Sequence, residues 1–296
     1  MYQLFDFEKD KVERMSNIKI KCKNFVYNYF YKYKFLNTVE KRKLIKNNVK
    51  FKNAHYGERC FIVGNGPSIK GQDLSKLSNE YTFMVNQAMR MPIYNAIKPQ
   101  FHILADPRYY NLNNKLEEDR EVIELIKSLS TNPELICFFP INAFEFVRQN
   151  NLDDKLNISY FMAANTFYEG IKKEINLAKT IYASPTVIQF GIQIALYMGF
   201  SDIYLLGCDM TGFEEIRNVD NSMQSAYAYQ LTENEKKRML RSTMHNGEEL
   251  FYAYARNYTI YRIMNSYCTK RSVNLYNATK GGLLDNLKRV EFDYLF

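Results

Sequence analysis

Arg59-Cys60-Phe61-Ile62-Val63-Gly64-Asn65-Gly66-Pro67-Ser68 is an apolar run that stops at a glycine-rich turn. Cys60 to Val63, bounded by Arg59 and Gly64, predict a short strand covered on both faces. In the turn, Gly64 and Gly66 can adopt φ > 0, Pro67 has no N–H and Ser68 adds a hydroxyl, so neighbouring amides can converge on an anion. Open α/β sheets bind ligands at the carboxyl ends of their strands, where this turn would lie. A tight strand-to-helix turn without a ligand has the same residues. Ile69 stands where a dinucleotide fingerprint needs its third glycine, and no Gly-Lys-Ser/Thr follows to make a P-loop.

From Arg59 onward, short apolar strands alternate with helical stretches, which predicts α/β architecture: a Rossmann-like parallel sheet with crossover helices. Strands are expected at Tyr81 to Val85, Phe101 to Ala105, Leu135 to Phe139, Asp202 to Leu206 and Val273 to Tyr276. Helices are expected at Leu116 to Leu129, Ile141 to Gln149, Ile171 to Thr180, Thr186 to Met198 and about Leu250 to Cys268. Polar residues fall just past the strand ends: Asn86 and Gln87, Asp106, Asn142, Gly207 and Asp209, then Asn277 and Thr279. They would rim one crevice with the Gly64 turn, although Asn and Asp there are also ordinary turn formers. Ser184-Pro185 leads into the helix at Thr186, whose first N–H groups offer a second anion site.

The 296 residues are 46% apolar and 24% charged, the composition of a soluble globular protein. No run is long and apolar enough for a membrane span, and Met1 to Asp10 does not read as a signal peptide, so a cytoplasmic location is expected. The five cysteines lack metal or redox spacing and predict reduced, buried thiols. Charge is uneven: Met1 to Asn53 holds 14 Lys+Arg and 5 Asp+Glu, or +9, while the remainder holds 26 and 27, or −1. This divides the chain into a basic, aromatic arm (1–53) and a near-neutral domain (54–296). Over residues 14–52, aromatics interleaved with lysines suit a helix on an anionic membrane surface, or a helix packed on the domain. Nucleic acid is not an expected partner.

Thr211 to Thr243 has little apolar periodicity, and the stretch at about 211–244 reads as an active-site lid or as disorder. His245-Asn246-Gly247-Glu248-Glu249 opens the last helix with capping-box spacing. His245 at a helix N-terminus suits a neutral general base, and equally a solvent-facing linker. There is no Asp-x-Asp pair and no Gly-x-Ser-x-Gly, which removes support for metal-anchored sugar-nucleotide chemistry of the two-aspartate kind and for serine hydrolysis.

Phe61 to Ser68, Val85-Asn86-Gln87, Ala105-Asp106-Pro107, Gly199 to Asp209 and the late His245 together resemble bacterial sialyltransferases of glycosyltransferase family 42. The same skeleton is similar to the glycosyltransferase-like domain of motility accessory factor proteins, a likeness strengthened by Asn277-Ala278-Thr279-Lys280-Gly281-Gly282. The resemblance implies a GT-A variant that moves a nonulosonic acid, sialic acid-like, from a CMP-sugar with inversion and without metal. It implies that Gly64, Asn65, Gly66, Pro67, Ser68, Asn86 and Gln87 hold the nucleotide, with Asp106, Gly207 and Asp209 on the same rim. Ser184, Pro185 and Thr186 would lie against the donor, and His245 would deprotonate the acceptor. The sialyltransferases carry Asn at the position of Asp106 and Tyr at that of Thr211, so Tyr227 or Tyr229 would supply a phosphate contact.

The partners implied are a nucleotide sugar and a glycan or lipid-linked glycan of the cell surface, handled at the inner face of the cytoplasmic membrane in lipopolysaccharide or capsule synthesis. A homo-oligomer is left open. Archaeal pterin diphosphokinases belong to the same wider resemblance; there the turn would hold ATP, and Asp106 and Asp209 would hold Mg²⁺. A non-catalytic protein binding glycan or membrane is the third expectation.

Overall fold

The computed structural model describes residues 26, 29–165, 167, 170–212, 227–242 and 247–296. Its order is α1 (Val39–Lys46), β1 (Arg59–Val63), β2 (Tyr81–Val85), α2 (Tyr94–Ile97), β3 (Phe101–Ile103), α3 (Glu117–Lys127), β4 (Ile136–Pro140) and α4 (Phe144–Gln149). There follow β5 (Asn157–Phe161), β6 (Ala163–Asn165), β7 (Ile181–Tyr182), α5 (Val187–Met198), β8 (Asp202–Leu206), α6 (Glu233–Ser242), α7 (Gly247–Thr269), β9 (Asn274–Asn277) and β10 (Lys288–Arg289). Eight strands form one sheet in the order β10-β9-β8-β1-β2-β3-β4-β5, and β6 pairs with β7. Every pairing is parallel.

The central strands are buried on both faces, as their continuous apolar runs require. Phe61 and Val63 join one core layer, Cys60 and Ile62 the other. From β1 the chain builds outward through β5, then returns along α5 to β8 on the other side of β1. The topological switch point, where such sheets open a crevice, lies between the carboxyl ends of β1 and β8.

α5 crosses beneath β1 and β3 with Gly191 against Ile62 and Ile103, where a Cβ would stand 3.1 Å and 3.3 Å from their side chains. Its carboxyl end meets the residues before β1, with Asn53 N–H donating to Tyr197 O and His55 N–H to Met198 O. Its amino end is therefore on the carboxyl edge of the sheet, with the Gly64 turn.

Most predicted elements lie within a residue or two of the observed ones. Ile171 to Thr180 is not a helix. Its backbone donors go elsewhere: Lys173 N–H to the Tyr182 hydroxyl, Ile175 N–H to the Tyr267 hydroxyl and Ala178 N–H to Asn176 Oδ1. The basic arm drawn at 1–53 joins the domain over its last part. Ile45 and Phe51 enter the core, Lys41 pairs with Glu145 at 2.8 Å, and Asn48 Nδ2 donates to Tyr160 O and Leu177 O. The stretch predicted as irregular contains α6, which packs with Leu231 and Met239 buried. Cys60, Cys137, Cys208 and Cys268 are free, buried thiols; burial pushes Cys137 and Cys268 up to about 12.

Candidate functional site

The switch point is closed by two turns packed on each other. Gly64 N–H donates to Leu206 O at 2.7 Å and Gly66 N–H to Gly207 O at 3.0 Å. Gly207 lies at φ +61°, and a Cβ on Gly66 would fall 1.7 Å from Asp209 Oδ2. Asp209 fills the concavity of the β1 turn, accepting from Ser68 N–H at 3.1 Å and Ser68 Oγ at 2.9 Å. Burial raises its carboxyl above the ordinary range, and the Ser68 bonds partly offset this. The amides of Gly64, Gly66 and Ser68, expected to meet an anion, thus serve the fold.

Beside this closed turn, the side chains of Asn65, Asn86 and Gln87 present unused capacity. Asn65 Nδ2 donates to Val85 O, while the buried Asn65 Oδ1 and Asn86 Oδ1 have no hydrogen-bond partner. Gln87, 1% exposed, accepts from Arg90 Nε at 2.5 Å and leaves Nε2 without one. Buried amide groups ordinarily find partners, so three side chains each with an unpaired atom, past the ends of β1 and β2, form a candidate site for a polar ligand.

Asn86 is held at φ +49°. Its N–H donates to Ile103 O, and its carbonyl accepts His102 Nε2–H at 2.8 Å. His102 is fully buried, and its Nδ1 accepts from the Tyr94 hydroxyl at 2.8 Å, which defines the neutral tautomer. Burial lowers His102 to about 4, against the Asn86 bond, which acts the other way. In the sequence His102 is marked only by its place within the β3 run.

Asp106 caps the turn after β3 and is engaged with Arg108, accepting from its N–H, Nε and Nη2 at 2.9, 3.0 and 2.7 Å. Ala228 N–H donates to Asn65 O at 2.9 Å and lays residues 227–229 over the β1 turn. Tyr227 and Tyr229 stack at 5.4 Å. Tyr229 is buried at 3% exposure, and Tyr227 is half-buried. The segment continues into α6, tied to the site through Gln87, Arg90 and Glu121: Arg90 Nη2, Thr232 Oγ1 and Asn234 Nδ2 all donate to Glu121. The buried Glu235–Arg238 pair also reaches the β3 turn, with Arg238 Nη1 donating to Arg108 O at 2.6 Å.

Ser184, Pro185 and Thr186 lie at the amino end of α5, on the same edge. The Ser184 hydroxyl donates to Tyr182 O and accepts from Gln193 Nε2, so it serves the loop. Thr186 is the N-cap residue but makes no side-chain cap bond. Close by, Gln189 Oε1 and Asn257 Oδ1 are buried and unpaired. The His245 assignment lies outside the described residues. A cleft of about 580 Å³ on α3 is lined by Glu117, Arg120, Glu121, Glu124, Asn150 and Asn234.

The family model described as 6-hydroxymethylpterin diphosphokinase MptE-like matches residues 27–214, more than half of the chain. The chain belongs to the MptE-like family. It is similar, at 15% identity and a TM-score of 0.47, to the MAf glycosyltransferase from Magnetospirillum magneticum AMB-1, over 85% of this chain and 38% of that one. The chain thus spans well under half the length of that protein. It is also similar, at 17% identity and a TM-score of 0.45, to the sialyltransferase CstII from Campylobacter jejuni, solved with the substrate analogue CMP-3FNeuAc, over 79% of this chain and 86% of that one. No curated protein matches.

The site of this MptE-like chain also bears on Mg²⁺. Asp106 is paired with Arg108, and Asp209 accepts from the N–H and hydroxyl of Ser68. Among the described residues no three His, Cys, Asp or Glu side chains converge as ligands. In this arrangement the aspartates assigned to Mg²⁺ in the diphosphokinase reading are each engaged with protein donors.

Proposed function

We propose that the protein is a glycosyltransferase that binds a nucleotide sugar at the carboxyl ends of β1 and β2 and transfers the sugar to a glycan acceptor. The observation carrying this reading is the set of buried amide atoms without a partner, Asn65 Oδ1, Asn86 Oδ1 and Gln87 Nε2. Neutral amide groups match the hydroxyls of a ribose and the edge of a base, which demand hydrogen bonds and no counter-charge. The amino end of α5 provides N–H groups for a phosphate. Motility accessory factor-like glycosyltransferases are included in the MptE-like family, which agrees with this reading.

Within it, the sequence resemblance favours a CMP-activated nonulosonic acid as donor and His245 as the base that takes the acceptor proton. The departing nucleotide phosphate would be stabilised by helix N–H groups and by the Tyr227 hydroxyl, without a step routed through a cation.

The test is release of CMP from CMP-sialic acid by the purified protein in the presence of EDTA, beside transfer of diphosphate from ATP to a hydroxymethylpterin with Mg²⁺. CMP release that survives chelation supports the proposal. Diphosphate transfer without CMP release replaces it with the kinase reading.

A further inference from the structure

We propose that the helix at residues 29–35, with Val26, is an interfacial anchor that seats the protein on an anionic lipid bilayer beside its own crevice. Tyr31 and Phe35 face the domain: their rings lie 4.6 Å apart and pack on the buried cluster that includes Tyr109, Tyr110 and Phe144. Val26, Tyr29, Phe30 and Tyr33 follow i, i+3, i+4, i+7 spacing and make a second apolar stripe on the other side. That stripe is open to solvent, at 48%, 64%, 64% and 73% exposure. A helix whose inner face is already satisfied and whose outer face is aromatic has the form of an interfacial element.

Charge selects the occupant. Exposed Lys32 and Lys34 flank the stripe, exposed Arg42, Lys43 and Lys46 follow on α1, and exposed Lys50 lies in the turn after it. Arg42 Nη1 donates to Leu36 O and ties the two segments together. Aromatic rings at headgroup depth with ammonium groups beside them match a phosphate-rich leaflet.

The position names the acceptor class. Tyr31 is close enough to interact with Tyr110, which follows β3 and whose hydroxyl accepts from Asn142 Nδ2 at 3.0 Å beyond β4. The anchor therefore sits at the carboxyl edge of the sheet, the edge that carries the candidate site. A bilayer met by the stripe lies beside the crevice, and the acceptor is a glycan carried on a lipid; that last step rests on the glycosyl-transfer reading.

The experiment is flotation of the full-length protein with vesicles of phosphatidylcholine alone or with about 30% phosphatidylglycerol, at low and high salt. Wild type is expected to float with the anionic vesicles only, and less at high salt. The Tyr29→Ser/Phe30→Ser/Tyr33→Ser variant, altered at exposed positions, is expected to lose at least about tenfold in vesicle affinity with an unchanged melting temperature. Absence of flotation by wild type, salt-independent flotation, or undiminished flotation by the variant overturns the proposal. A wild-type dimer in sedimentation without lipid that the variant dissolves also overturns it, because the stripe would then be an interface between copies. Lipid binding without any CMP release would retain the anchor and remove only the transfer reading.

Discussion

His102 donates its Nε2–H to the carbonyl of Asn86 at 2.8 Å, so a fully buried neutral imidazole braces the left-handed residue whose amide oxygen is buried without a partner. The imidazole is lowered to about 4 by burial, below its ordinary 6.5. With the folded value depressed, the unfolded chain takes up the proton first as pH falls. The stabilisation is complete above about pH 6.5 and is lost as pH drops toward 4, in all about 3 kcal/mol. Asp209, raised by burial, contributes with the opposite sign. Urea unfolding at pH 7 and pH 4.5 should therefore show a smaller acid loss in His102→Gln than in wild type. Equal losses would contradict a neutral His102.

Asn86→Gly keeps the backbone conformation at φ +49° and removes the amide. Nucleotide affinity should fall by about tenfold or more, the cost of one lost hydrogen bond to a buried polar ligand. The melting temperature should change little, because the amide oxygen has no protein partner to lose. Calorimetric titration together with thermal unfolding checks both.

Gly66→Ala should be severely destabilising, by about 3 kcal/mol or more, since its Cβ would overlap Asp209 and the carbonyl of Gly207. Thermal unfolding measures it. A near-native melting temperature would mean that the β1 and β8 turns do not pack as described.

Glu121→Ala removes the acceptor shared by Arg90, Thr232 and Asn234. Limited proteolysis should then cleave within α6 faster than in wild type, and nucleotide affinity should fall because Arg90 also orients Gln87. Faster cleavage with unchanged affinity would sever α6 from the site.

The sheet was legible because each inner strand is an apolar run ending in a polar residue. β5 was not, since Asn157-Ile158-Ser159-Tyr160-Phe161 is a mixed edge strand, with its first residue exposed. α6 was hidden by its charge: Glu235 and Arg238 bury one another, so the helix lacks an ordinary apolar face. At the site, sequence marked Asn65, Asn86 and Gln87 by their place at strand ends, but not the partners taken by the turn beside them. Ser68 donates to Asp209, 141 residues further on, while Gly64 and Gly66 donate to the carbonyls of Leu206 and Gly207, contacts that local pattern does not encode.

The central claim is that these strand-end amides bind the nucleoside part of a nucleotide sugar. The most direct measurement is calorimetric titration of wild type and Asn86→Gly with CMP, UDP, GDP, ADP and ATP, each with and without Mg²⁺. The account predicts one preferred nucleotide, CMP, bound equally well in EDTA and about tenfold more weakly by the variant. Tight binding confined to Mg²⁺-ATP, or CMP binding that ignores the variant, would contradict it.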